Sequence, residues 1–599
     1  MPVLPFDLAR DHELDIARQP ADAGSPTLGR GCFVKSPALS RLQCPVLLEQ
    51  LVLLVVSFVA SGLAFAQVPA LVLPGQIEKQ FQRPPEPRAQ PGAIQIPPPS
   101  QQPPANADDI RFTLAEITIE GARVYPEVSL QPYYQKYLNR EVSLADVYGV
   151  AAAMTARYRN DGYILSQVLV PAQTVDGGRV RLQAVEGYVA DVVVQGATET
   201  PPELVTAYAD KIKSVRPLTA EALQRYVLLM NDLPGASART TLVASKTERG
   251  ASDLMVEFSQ RRATGGLGVD NRGSAALGPV LVSGDLQVNA VFGAGDRTGA
   301  KVVSTFDNEL HFLSLVHDEQ IGSEGGKIGL AINFVRSNPD TSAGFVPLFL
   351  RNDSNSGSLI YVYPMLRSRS ENLYLRGGLT AYNGSEQLFG VTEVSDRIRA
   401  VRLGLTYDLA DRDGGINILD IELGQGFSAL GASHAGDPDL SRANGRPDFT
   451  KVALYAARLQ SLAAKWSLFT AVNAQYAGSD LLAPELYCYG GEQFGRAFDP
   501  CAFAGDSGAA IKQELRYTDS FEGRLEHTAY GFYDVGYVQQ RTPAGLRASE
   551  SGASVGLGWR FTLDRYLSGF VEVAKPITNA SALVSDRDPR VYAGLSARF

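Results

Sequence analysis

The sequence predicts a mainly β protein: a C-terminal transmembrane β-barrel of about sixteen antiparallel strands, preceded by two small β-α-α-β-β units. Three observations carry this expectation. The segment 591–599, VYAGLSARF, alternates without a break. Val591, Ala593, Leu595, Ala597 and Phe599 share one side of a strand, and Tyr592, Gly594, Ser596 and Arg598 the other. From about residue 262 onward such segments recur between Gly, Asp and Asn turns, and no helical period returns. Between residues 111 and 262, a pattern of strand, two helices and two strands occurs twice.

Taken from the N-terminus, residues 46–66 (VLLEQLVLLVVSFVASGLAFA) form a membrane-seeking stretch. Their uninterrupted apolar part, 51–60, is short for a spanning helix. Ala64-Phe65-Ala66 then supplies the small-residue pattern of a secretory signal cleaved before Gln67. An N-terminal anchor helix is the alternative. Residues 1–44 make a mixed-charge leader longer than an ordinary signal n-region, and after Met1 the next methionine is Met154. Residues 1–66 are therefore read as leader and signal, outside the fold.

Residues 67–82 contain a short helix over 74–81 opened by Pro74. Residues 83–110 are dominated by Pro and Gln, a composition that cannot pack a core and makes an extended spacer. The first repeat unit, 111–188, has a strand over 112–120 and a helix near 126–138. A second helix follows over 144–159, N-capped by Ser143, with Val147, Val150, Ala151, Met154 and Tyr158 at helical spacing. Strands over 163–170 and 179–185 close it. The second unit, 189–262, repeats this with a strand over 189–195, helices near 202–212 and 219–230, and strands near 238–244 and 253–258.

Residues 263–599 are read as the barrel. In 327–335, Ile328, Leu330, Ile332 and Phe334 oppose Lys327, Gly329 and Asn333. In 400–409, Val401, Leu403, Leu405 and Tyr407 oppose Arg402, Thr406 and Asp408. In 554–561, Val555, Leu557, Trp559 and Phe561 oppose Ser554, two glycines and Arg560. Charge on the minor face of so many strands calls for a wet lumen, the alternative being a large soluble β-domain.

Composition narrows the function. A net charge of −9 and a pI near 5.3 argue against a nucleic-acid partner bound through a global positive field. A mean hydropathy of −0.06 is too polar for a helical membrane protein and suits a barrel. Of four cysteines, Cys32 and Cys44 fall in the leader. Cys488 and Cys501 lie in a Gly-rich loop of an exported chain and read as a disulfide. Two thiols with no nearby histidine do not complete a zinc site.

No catalytic, metal or cofactor site is expected. Gly505-Asp506-Ser507-Gly508 matches a serine-protease nucleophile string, but none of the five histidines sits in a recognisable base motif. Residues 293–301 (GAGDRTGAK) lack phosphate-loop spacing and read as a hairpin turn. His311 and His317 flank an apolar LSLV segment and read as satisfied or solvated loop histidines.

Several strings resemble one family. They are PGQIEKQFQRPPEPR at 74–88, GYILSQVLVPAQTVDGGRVRLQAVEG at 162–187, GVDNRGSAALG at 268–278 and GGEQFGRAFDP at 490–500. With the tandem units, their order is similar to that of the POTRA-plus-barrel proteins of the BamA/TpsB superfamily. The strings resemble the TpsB branch, the outer-membrane transporters of two-partner secretion (the haemolysin activation/secretion family). The resemblance implies a plug helix containing Ile77 and Phe81 that fills the lumen at rest. It implies that the two units receive an unfolded secreted partner, a large β-helical exoprotein, in the periplasm. It further implies that Gly495-Arg496-Ala497-Phe498 corresponds to an inward-folded loop motif usually written [V/I]-R-G-[F/Y]. The arginine of that motif pairs with the aspartate of a lumen-facing F-x-D, here Phe532-Tyr533-Asp534 followed by Gly536.

Phe599 would end the signal read by the barrel-assembly machinery in inserting the chain among outer-membrane lipid. Gly495 and Ala497 depart from the motif, and Ala497 would be strained if the glycine it replaces needs a positive φ. Two unrelated lumen charges are the alternative to the Arg496–Asp534 pair. The expected function is non-enzymatic secretion of a partner protein, the alternatives being an outer-membrane assembly factor, a diffusion porin and a surface hydrolase.

Overall fold

The computed structural model describes residues 75–90, 101–196, 202–248, 250–340, 350–541, 547–578 and 587–599. The expected leader, signal and Pro74 lie outside the described residues.

The first unit builds on one long helix, Leu144–Asn160. Ser143 accepts from the Asp146 N–H while the Asp146 carboxylate accepts from the Ser143 N–H, a reciprocal cap that fixes where the helix starts. Val147, Val150, Met154 and Tyr158 are buried against Leu130 and Leu182. The strand expected over 112–120 is two strands, Arg111–Leu114 and Glu116–Glu120. The break lets the first pair with an additional strand, Arg140–Ser143. The strand expected over 163–170 contracts to Gln167–Leu169. At its edge the Thr155 hydroxyl accepts from the Val168 N–H at 2.9 Å, so a helix side chain replaces a neighbouring strand.

In this unit Glu116–Glu120 runs parallel to Arg179–Val185, and Gln167–Leu169 antiparallel to it. The second unit repeats the arrangement. Val189–Gly196 runs parallel and Ala236–Ala244 antiparallel to a central Ser252–Gln260. Helices Glu203–Ser214 and Ala220–Asn231 cover this sheet with Tyr208, Ile212, Leu229 and Met230. In both three-stranded sheets the strand that comes last in sequence thus lies in the middle.

Among the described residues sixteen antiparallel strands close a barrel, from Ala263–Asp270 to Arg590–Arg598. Leu267, Leu330, Leu403 and Leu557 project outward and exposed, as the alternation requires of a lipid-facing wall. Most barrel strands run longer than the roughly ten residues a bilayer crossing needs, reaching 20 in Val391–Ala410, because the wall continues past the apolar band. The first and last strands pair over Gly266–Asp270 and Gly594–Arg598, the shortest seam among the described barrel strands. No described helix is long and apolar enough to cross a membrane.

The second unit docks on one end of the barrel. Glu324, in the turn before Gly326–Ser337, accepts from Lys211 at 2.7 Å and from Tyr226 at 3.2 Å. Arg367 sends a two-pronged bond of 2.7 and 2.9 Å to Asp232. The connection between Trp466–Ala477 and Ser507–Phe521 starts at the opposite end and folds back into the lumen.

Candidate functional site in the barrel lumen

The site is assembled where that loop meets the inner wall. Period-2 alternation along Leu525–Arg541 turns Tyr530, Phe532, Asp534 and Gly536 inward. Register places Phe532 opposite Glu514, and Glu572 opposite Tyr592 on the closing strand. These residues, distant in sequence, line one patch.

Arg496 enters this patch from the loop, 3% exposed, and meets Asp534, which is fully buried. Its Nε donates to Asp534 Oδ2 at 2.9 Å and its Nη2 to Oδ1 at 2.7 Å. This is the planar fork that only a guanidinium offers a carboxylate. The backbone N–H groups of Gly495 and Arg496 both donate to Asp534 Oδ2 at 3.2 Å. Nη1 donates to Glu514 Oε1 at 2.7 Å and lies 3.5 Å from Glu572 Oε2. The Phe532 ring lies beneath the guanidinium, 3.5 Å from its carbon, adding a cation–π contact.

The acidic excess around Arg496 is balanced by cations. Arg516 bonds Glu514 at 2.6 Å, Lys512 lies 3.7 Å from it, and Arg272 lies 3.3 Å from Glu572. Tyr530 donates to Glu572 at 2.8 Å. Every member of the patch therefore has partners, the condition under which buried charge is tolerated. Glu514, Glu572 and Tyr530 were not singled out from the sequence. The signal was present, since Lys512, Glu514 and Arg516 alternate on one strand face, but it does not say which wall the loop will reach.

Within the motif 495–498 the positive φ falls on Gly495 (φ 83°), and Ala497 is not among the described residues with positive φ. The strain expected at Ala497 is absent because the glycine stands one residue before the arginine. Phe498 packs against Phe503 at 5.1 Å and Tyr489 at 6.0 Å, bracing the loop from within. Gly536 leaves room for Tyr489, whose ring atoms would lie 2.2 Å from a Cβ there. The hairpin of Tyr487–Tyr489 and Phe503–Gly505 is joined by a disulfide between Cys488 and Cys501.

A short helix, Gln76–Gln80, lies in the lumen between this loop and the wall. Ile77 is buried with Leu277, Val303, Phe312 and Val335, and Phe81 stacks on Phe312 at 4.7 Å. The polar side faces the loop: Gln76 donates to the Ala483 carbonyl and Lys79 to that of Leu486. Glu78 accepts from Asn333 and Ser356, each at 2.9 Å. Phe599 stands apart from this site. It extends the seam, exchanging backbone bonds of 3.0 Å with Gly265.

The motifs set aside have structural partners. Asp506 accepts from Arg442 at 2.5 Å and from the Leu481 N–H at 2.7 Å. Ser507 accepts from the Ala477 N–H at 3.1 Å. His311 and His317 bond Ser304 at 3.0 Å and Thr298 at 2.9 Å. Among the described residues no cluster suits a metal ion.

Comparison with known proteins gives this geometry its class. The family model described as haemolysin secretion/activation protein ShlB/FhaC/HecB matches residues 250–560, more than half of the 599. The chain belongs to the haemolysin secretion/activation family. The ShlB-type POTRA domain model matches residues 112–187, the first unit. The heme/hemopexin transporter protein HuxB of Haemophilus influenzae is 22% identical over 488 residues, covering 79% of this chain and 85% of the relative. The outer membrane transporter CdiB of Dickeya dadantii is 23% identical over 481 residues, covering 79% and 84%. Among solved structures, CdiB from Escherichia coli shares the fold, with a TM-score of 0.69 at 17% identity over 94% of this chain and 100% of that one.

Family membership places the barrel in the outer membrane and the N-terminal units in the periplasm. The barrel end bearing the second unit is therefore periplasmic, and the loop with Arg496 enters from the cell surface. The protein is a secretion transporter for a partner protein, and the assembly-factor alternative is set aside.

Proposed function

We propose that the two periplasmic units capture an unfolded exoprotein and that the lumen helix leaves the barrel to let it pass. The observation that carries this reading is the lumen itself, filled by a five-residue helix and an inward loop rather than by the wall. The helix is held non-covalently, by Ile77 and Phe81 against one wall cluster and by the polar bonds of Gln76, Glu78 and Lys79, a hold that can be released. Its tether, within 83–110, gives it reach. Open strand edges in the two units offer main-chain donors and acceptors to an extended segment, which gives affinity with little reading of sequence.

In this reading the Arg496–Asp534 pair locks the loop so that the lumen keeps a defined path. Residues 111–188 and 189–262 act as receiving domains. Transport needs no catalytic group of its own, and folding of the partner outside supplies direction. The relatives' names point to cargo of the hemopexin-transport or CdiB-dependent kind, and a co-expressed exoprotein that reaches the medium only when this chain is present would identify it.

The test is Arg496→Ala. It removes one partner of a buried pair, a loss of ~3–5 kcal/mol in the hold on the loop. Export into the medium should collapse while the folded barrel, read by its heat-modifiable gel mobility, still assembles. Arg496→Lys should rescue little, since an ammonium cannot form the fork. Normal export by Arg496→Ala would refute the lock.

A further inference from the structure

The tether and the second periplasmic unit meet at one barrel turn, where hydrogen bonds and an ion pair join them. Asp232 stands at the C-terminus of the unit's helix Ala220–Asn231. It takes the fork of Arg367, whose Nη1 donates to Asn372 Oδ1 at 2.9 Å. Asn372 donates in turn to Asp408 Oδ2 at 2.9 Å, and the same oxygen accepts from the tether's Ala89 N–H at 2.6 Å. Asn372 and Asp408 are buried. A second route is direct: Arg88 of the tether lies 3.7 Å from Asp232. Its guanidinium also donates to the Tyr374 hydroxyl at 3.3 Å and lies 5.0 Å from that ring's centre. A third passes through the backbone, where Arg369 N–H donates to Gln224 of the unit at 3.2 Å and Arg369 carbonyl accepts from Gln90 of the tether at 2.7 Å.

We propose that Arg88, Asp232, Arg367 and Asp408 form a clasp that couples docking of the second unit to retention of the lumen helix. These are positioning residues. Lifting the unit off the turn withdraws Asp232 from Arg367, leaving a buried guanidinium short of its carboxylate. The remaining carboxylate within the network is Asp408, the acceptor that holds Ala89. Rearrangement toward it competes with the tether, so engagement of the unit by cargo loosens the helix at a distance. The inference rests on the reading that the helix leaves the lumen.

The test uses the full-length protein in planar lipid bilayers, with the fraction of time each channel is open as the readout. Asp232→Asn and Arg88→Gln should each raise it by about threefold to tenfold, the range for loss of one contact in a coupled network. Unit conductance of the open state should stay unchanged, which shows that the barrel is intact. The double variant should open no more than the stronger single one. Multiplying effects would mean independent contacts and would overturn the clasp. A variant lacking residues 75–81 serves as reference. If it opens freely while Arg88→Gln and Asp232→Asn match the unmodified protein, the clasp is wrong and the plug reading stands. If it opens no more than the unmodified protein, the plug reading fails and the clasp with it.

Discussion

Arg496 is held by its environment rather than by its neighbours in sequence. Two backbone N–H groups and a guanidinium fork converge on one carboxylate, and this convergence requires the chain to turn left-handed at Gly495. A side chain at that φ costs ~1–2 kcal/mol, and a Cβ would also stand 2.7 Å from the Tyr489 ring. Gly495→Ala should therefore loosen the loop and make it cleavable by external protease in folded barrels. Ala497→Gly should leave cleavage as it is, because Ala497 holds no left-handed φ. Protease footprinting of intact cells checks both. The arginine and the aspartate were legible in the sequence through the family's motif. Their carboxylate neighbours Glu514 and Glu572 were not, because they come from strands whose adjacency depends on register.

At the scale of elements, the dock between the second unit and the barrel depends on charge. Partial burial opposes ionisation of Glu324, but the Lys211 hydrogen bond and the charges of Lys211 and Arg225 outweigh it. They hold the carboxyl below its ordinary value of 4.5. A carboxylate with a depressed pKa stabilises the docked state above its ordinary value and loses that contribution as pH falls through the depressed one. Docking should be unchanged from pH 7 to about 5 and weaken progressively below about 4.5. Glu324→Gln should remove that part of the acid sensitivity. Spin labels at positions 213 and 323 would read the separation. Helices were read well in these units: Ser143 caps the helix it was placed before, and Thr219, read as the first residue of its helix, is that helix's N-cap. The strand over 112–120 was misread as continuous, since alternation does not reveal that Ala115 turns the chain toward a different partner.

For the whole molecule, closure matters most. The seam between first and last strands is short, and Phe599 lengthens it with two backbone bonds to Gly265 while its ring stays 72% exposed on the outer face. Deleting Phe599 should reduce the amount of barrel in the outer membrane and leave export per assembled barrel unchanged. Quantifying surface-exposed barrel against secreted partner separates the two.

Alternating faces, two repeated units and capped helices are local properties, governed by backbone geometry and by which side chains water or lipid accepts. From these the sequence by itself determined a barrel of about sixteen strands, two α/β units and the strand face on which Asp534 lies. Only the tertiary structure decided that Arg496 reaches Asp534 together with Glu514 and Glu572, and that the tether threads between Asp232 and Asp408. Such contacts join residues from 18 to 319 positions apart, and their partners are chosen by strand register and barrel closure. No local pattern encodes either.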